Sequence, residues 1–185
     1  MNDVVVPTHW RRLMRVIKFA LNTKEKILRF DILDRKMKDK VWTLKAFCDG
    51  NWEGCSDYRK DITGYCIYFM GCLVAWNSRG QKNVTLSSSE AEYVVLSEVY
   101  CEIMFMRMIL EFMGVKVKKP ITVNCDTFRT VFLANNVKMG ARSKHIDIKY
   151  HFVQEFMIDS TVEKEFGRSK DNDSYIFTKN VSKET

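Results

Sequence analysis

The feature that most constrains this chain is one unbroken apolar row. Starting at Glu92 and moving by steps of three and four, the residues are Val95, Val99, Ile103, Met106, Leu110 and Met113. That spacing keeps one face of an α-helix apolar, and it predicts a helix over about residues 88–113 lying on a sheet, with Gly114 ending it. The row that starts at Glu90 is mixed instead: Val94, Ser97, Cys101, Met104, Met108 and Glu111. Ser87 to Glu90 and Ser89 to Glu92 both fit the S-x-x-E capping box. Phase makes Glu90 the better cap and puts Glu92 at the head of the stripe that faces the sheet.

Runs of β-branched and aromatic residues surround this helix. Strands are predicted at 42–49, 63–70 and Leu73 to Ser78, joined by the polar Asp57–Asp61 stretch and a turn at Gly71. Further strands are predicted at 121–126 and 161–166. Helices are predicted at 127–135, at 143–158 with Ile146, Tyr150, Val153 and Met157 on one face, and at 171–179 as a short closing helix. The order βββαβααβα implies an α/β domain: a five-stranded mixed sheet flanked by helices, with an antiparallel meander on one side and helix crossovers on the other. Ahead of it, residues 7–21 read as an amphipathic helix with Thr8 as N-cap and Arg11, Arg12, Arg15 and Lys18 on its polar face. The charge-crowded stretch Asp31 to Lys40 reads as a linker.

A formal net charge of +7 and a pI of about 9.1 favour a polyanionic partner, nucleic acid before membrane. None of the six cysteines forms a closely spaced metal-ligand pair; Cys48, Cys66 and Cys125 lie inside apolar runs and read as reduced core thiols. The first residues lack the pattern of a signal peptide, and the apolar stretches are too short and interrupted to span a bilayer. The expectation is an intracellular protein, cytoplasmic or nuclear, and not a secreted one.

Three acids stand at the ends of apolar runs: Asp49 after Leu44–Cys48, Glu92 at the head of the long helix, and Asp126 after Ile121–Cys125. Carboxylates converging at a sheet edge repel one another unless a hard cation lies between them, which points to Mg²⁺. Mg²⁺ in a basic protein points in turn to phosphate chemistry. Asp126 sits beside Asp49 if the fourth strand pairs in parallel with the first.

The strings around these acids are specific. They include Phe47-Cys48-Asp49-Gly50-Asn51-Trp52, Asp61-Ile62-Thr63-Gly64-Tyr65, Ala75-Trp76-Asn77-Ser78-Arg79-Gly80, Leu86-Ser87-Ser88-Ser89-Glu90-Ala91-Glu92-Tyr93, Asn124-Cys125-Asp126, Ser143-Lys144-His145-Ile146-Asp147 and Ile176-Phe177-Thr178-Lys179. In this order they resemble the RNase H domain of copia-type retrotransposon polyproteins over about residues 42–181. Residues 7–30 resemble the tail of the reverse transcriptase that precedes it. On this resemblance residues 1–40 are a remnant of the reverse transcriptase C-terminal or connection segment, and residues 41–185 are an RNase H-like domain.

The resemblance implies an RNase H-like fold and hydrolysis of the RNA strand of RNA–DNA hybrids with two Mg²⁺ ions, for which Mn²⁺ can substitute. It implies that Asp49, Glu92 and Asp126 are catalytic metal ligands. The family's fourth acid falls on Tyr175, and a phenol is a poor substitute for a carboxylate; the expectation is impaired turnover. Gly50, Asn51, Arg142, Lys144 and His145 are candidate substrate contacts, with a merely capping or packing His145 kept as the other reading. The implied partners are an RNA–DNA hybrid and the preceding reverse transcriptase domain, with no membrane. A catalytically inactive, nucleic-acid-binding remnant is the alternative function.

Overall fold

The computed structural model describes residues 7–30, 41–51, 61–81, 88–125, 151–153, 155, 158–167 and 171–179. The chain divides into two compact units, Met1–Phe30 and Asp31–Thr185. In the first, helix α1 spans Pro7–Thr23. Proline opens it because the first helical position has no intrahelical partner for an N–H and Pro lacks one. Thr8 therefore lies inside the helix and is not the N-cap expected from the sequence. No residue of α1 is buried, and Trp10, Val16, Phe19 and Leu21 are each more than half exposed.

In the second unit the strands are β1 (Val41–Trp42), β2 (Leu44–Asn51), β3 (Ile62–Phe69), β4 (Cys72–Gly80), β5 (Lys116–Val117), β6 (Ile121–Cys125) and β7 (Val162–Phe166), with helix α2 (Ser88–Phe112) between β4 and β5. The main sheet has the order β4-β3-β2-β6-β7. The β2–β3 and β3–β4 pairs are antiparallel, and the β2–β6 and β6–β7 pairs are parallel. This is the mixed five-stranded sheet predicted, with β2 at its centre. Residues 151–153, 155 and 158, within the last predicted crossover helix, are helical.

The predicted strand at 42–49 splits at Thr43. Trp42 stacks on Phe69 at 5.5 Å between ring centroids, and its carbonyl accepts from Lys118 N at 2.7 Å. That draws β1 onto β5 in a separate two-stranded sheet. Met70 (φ 53°) and Gly71 (φ 78°) form the two-residue turn between β3 and β4, where two left-handed residues match the twist of a hairpin.

Side-chain alternation fixes the two faces of the sheet. Leu44, Ala46, Cys48, Ile67, Ile121 and Val123 are buried in one core with Val95, Val99, Tyr100 and Ile103 of α2. The row headed by Glu92 thus packs as its spacing requires, apart from Met113, which is 60% exposed. On the opposite side the closing segment, a 3₁₀ turn over Asp173–Phe177, lies against β2 and β3. Gly64 permits that approach, since a Cβ there would lie 2.4 Å from Thr178 Cγ2 and 3.0 Å from Phe177 Cβ.

Gly64→Ala is therefore expected to lower stability by about 1–3 kcal/mol through overpacking. Gly80→Ala, whose Cβ would meet nothing within 4 Å, is expected to change it by less than about 0.5 kcal/mol. Urea unfolding midpoints of the two variants check the contrast.

Candidate active site at the end of the central strand

Asp49 is near the C-terminal end of β2 and is only 3% exposed. A buried carboxylate needs compensating donors, and the closing segment brings two. Thr178 Oγ1 donates a hydrogen bond to Asp49 Oδ2, and Lys179 Nζ lies 3.6 Å from the same oxygen. Asn172 fastens this segment to the strand. Its Nδ2 donates to the Cys48 carbonyl at 3.0 Å, while its Oδ1 accepts from Ser174 N at 3.0 Å and caps the 3₁₀ turn.

Glu92 reaches the same end of the sheet from α2. Gly50 lets the helix come close: a Cβ there would lie 3.3 Å from the Glu92 backbone and 3.2 Å from Val95 Cγ2. Buried Gln81, at the end of β4, donates from Nε2 to the Ala91 carbonyl at 3.1 Å and holds the first turns of the helix. Asp49, Gly50 and Glu92 line one small pocket together with Cys48, Cys125 and Lys164. The Cys48 and Cys125 sulfurs face each other at 2.7 Å. Hydrogen bonding between the two thiols, and then burial, pushes the Cys48 thiol well above its ordinary range.

Tyr175 is half-buried in the 3₁₀ turn, and the Lys179 ammonium sits 4.3 Å from the centre of its ring. Asp173 accepts from Tyr68 Oη at 2.8 Å, and Asp171 is exposed. Asn51 closes β2 through its backbone. Asp126, Arg142, Lys144 and His145 lie outside the described residues, as do the side chain of Asn51 and all of Trp52. The β2–β6 register runs to Cys48 opposite Cys125, so the parallel pairing anticipated for these strands is present up to the residue before Asp126. Sequence reasoning missed Asn172, Thr178 and Lys179. The last two stood inside a quoted string, and Asn172-Asp173-Ser174 carries the side-chain-to-backbone pattern of an Asn cap.

The side of the sheet opposite α2 also carries a cleft of about 500 Å³, lined in part by Lys45, Phe47, Tyr68, Thr122, Glu163 and Asp173. Near it burial, and then the Asp173 charge, pushes the Cys66 thiol from its ordinary 9.0 up to about 12. Burial and the bond to Asp173 push the Tyr68 phenol upward as well.

The donor chemistry at Asp49 and Glu92 fits a hard cation. Mg²⁺ is held by one or two carboxylates plus waters and substrate phosphates, and this pocket offers two carboxylates. Among the described residues no group of three or more His, Cys, Asp or Glu side chains is placed to hold a metal ion. Also among them, no helix is long and apolar enough to cross a membrane.

An antiparallel meander continued through α2 into parallel β6 and β7, with carboxylates at the end of the central strand, is an RNase H-like fold. The chain's relatives are copia-type, retrovirus-related Pol polyproteins of plant transposons. It is 31% identical over 173 residues to the retrovirus-related Pol polyprotein from transposon TNT 1-94 of Nicotiana tabacum, a match covering 94% of this chain and 12% of that polyprotein. It is 29% identical over 146 residues to the corresponding polyprotein from transposon RE2 of Arabidopsis thaliana, covering 79% of this chain and 10% of that one. The chain thus spans about a tenth of the length of these curated relatives. No family model matches. Among solved structures, a foamy viral protease-reverse transcriptase in complex with double-stranded DNA is similar at TM-score 0.52 and 13% identity, over 88% of this chain and 24% of that one. RNase H1 from Halobacterium salinarum NRC-1 aligns at TM-score 0.47 and 13% identity, over 71% of this chain and 90% of that one.

A raised thiol pKa has two measurable effects. At pH 8 a thiol reagent is expected to label exposed Cys101 rapidly and Cys66 slowly. A folded pKa raised above the unfolded one stabilises the protein fully below the unfolded value, and that stability is lost as pH climbs toward the folded value. Between pH 9.0 and about 12 the folded state should weaken on this account. Cys66→Val should show a shallower alkaline decline in urea midpoint than the parent.

Proposed function

We propose that this chain is the RNase H part of a copia-type Pol polyprotein and hydrolyses the RNA strand of RNA–DNA hybrids inside the cell. The observation that carries the reading is the joint placement of Asp49 and Glu92 in one pocket at the end of the central strand of an RNase H-like fold. On this reading residues 1–40 derive from the preceding reverse transcriptase segment, and that domain and the hybrid are the partners.

Asp49, Glu92 and Asp126 hold the metal in this scheme. Two Mg²⁺ ions, or Mn²⁺ in their place, supply Lewis-acid activation of a water and charge stabilisation at the leaving oxygen when bound. The protein contributes position. The ladder of β2 and the close contact at Gly50 hold the two carboxylates on backbone that cannot give way. Burial of Asp49 keeps bulk water from its inner oxygen, and Thr178 orients that oxygen by hydrogen bonding. Arg142, Lys144 and His145 meet phosphates, and Gly50 and Asn51 border the RNA strand. Recognition then rests on phosphates and 2′-hydroxyls and not on base sequence. Tyr175 stands where the family's fourth carboxylate is expected, which limits turnover.

The test uses a labelled RNA–DNA hybrid with Mg²⁺. Asp49→Asn and Glu92→Gln are each expected to cut cleavage at least about tenfold to a hundredfold, the range found even for groups that only orient metal ligands. Tyr175→Asp is expected to raise it. Equal cleavage by the parent and Asp49→Asn would sink the assignment. Hybrid binding with no cleavage in Mg²⁺ or Mn²⁺ would select the alternative, an inactive nucleic-acid-binding remnant, which the Lys179–Asp49 contact favours.

A further inference from the structure

The carboxylate at the centre of the candidate site already has a cation beside it. Lys179 Nζ is 3.6 Å from Asp49 Oδ2, with Asp49 almost fully buried and the lysine side chain 31% exposed. The lysine is held there by two constraints. Its backbone N–H donates to the Tyr175 carbonyl at 3.1 Å, one turn earlier. Its ammonium lies 4.3 Å from the centre of the Tyr175 ring, well within cation–π range. Thr178, the residue before it, is bonded to the same carboxylate oxygen, so the segment cannot drift from Asp49 without breaking that bond. Asn172 ties the other end of the turn to Cys48.

We propose that Lys179 is a resident counter-cation of Asp49, steered by the Tyr175 ring, and that it competes with divalent metal for that carboxylate. The inference rests on reading Asp49 as a metal ligand. It gives Tyr175 a positive role: the aromatic ring does not merely lack a carboxylate, it holds a positive charge against the remaining one. A metal ion that takes Asp49 Oδ2 must share the oxygen with an ammonium or displace it, and two cations on one buried oxygen repel. Lys179 therefore sets the metal concentration at which the site fills.

The experiment is Mn²⁺ titration by calorimetry and by the electron paramagnetic resonance signal of free Mn²⁺, without nucleic acid. Parent protein is compared with Lys179→Met, Lys179→Arg, Tyr175→Leu and Asp49→Asn. Lys179→Met is expected to bind Mn²⁺ at least about tenfold more tightly than the parent, by analogy with the effect of groups just outside a metal's ligand set. Lys179→Arg, which keeps the charge, should stay close to the parent. Tyr175→Leu, which removes only the steering ring, should fall between the two. In EDTA, Lys179→Met should melt below the parent and recover more on Mn²⁺ addition, a readout that does not depend on cleavage. Equal Mn²⁺ affinity in parent and Lys179→Met, with binding abolished by Asp49→Asn, overturns the competition and leaves the metal-site reading standing. Mn²⁺ binding that ignores Asp49→Asn overturns both. Tighter binding in Lys179→Arg equal to that in Lys179→Met would show that shape, not charge, is responsible, and would also overturn the proposal.

Discussion

A carboxylate buried at the end of the central strand is the constraint around which the rest of the structure is arranged. Leaving such a group without partners costs several kcal/mol, so other elements must come to it. Thr178 and Lys179 do so from the far end of the sequence, 129 and 130 positions after Asp49. For them to arrive, the strand beside Asp49 must have no side chain in their path. Gly64 is the residue opposite Asp49 in the β2–β3 ladder, and any Cβ there would collide with Thr178. On the other side of the sheet Gly50 does the same for α2. Two glycines, one per face, let a helix and a closing turn both crowd the end of one strand.

The sheet order follows from burial and local connection. Short turns allow β2, β3 and β4 to pair antiparallel, and the left-handed pair Met70–Gly71 makes the tight one. The return to the centre from β4 needs a long crossover, which α2 provides while covering the Leu44, Ala46 and Ile67 face. β6 then enters beside β2 in parallel, so that the C-terminal ends of the two central strands share one end of the sheet. Open sheets with parallel strands place their chemistry at that end, and here it is the end that holds Asp49.

Much of this was legible in the residues because period and punctuation agree. The Glu92 row was right in phase, since a helix that covers a sheet cannot hide a wrong face, and its buried members are Val95, Val99 and Ile103. Cys48, Cys66 and Cys125 sat in apolar runs and are buried and free. What escaped has physical reasons. The break at Thr43 is caused by Trp42 stacking on Phe69, a contact between residues 27 positions apart. Thr8 looked like a cap because its residue type suits one, but Pro7 already opened the helix. The partners of Asp49 were invisible because local periodicity carries no information about which distant segment compensates a buried charge. Asp173, an acid two positions before Tyr175, is engaged elsewhere and accepts from Tyr68.

If Tyr175 stands in place of a carboxylate, as proposed, the exchange changes the site by more than the group it removes. A carboxylate there would add negative charge to a site already holding Asp49 and Glu92, and a hard cation would be the only economical way to relieve the repulsion. An aromatic ring reverses that pressure. Its electron-rich face attracts an ammonium, and the i+4 spacing of a helical turn puts Lys179 in reach of both the ring and Asp49. The carboxylate is then compensated from within the chain. On the proposed reading, folding does not require a metal at that oxygen, because Lys179 and Thr178 already compensate it. Under that proposal structural stability is uncoupled from metal occupancy, and the RNase H-like scaffold stays intact whether its site is loaded or empty.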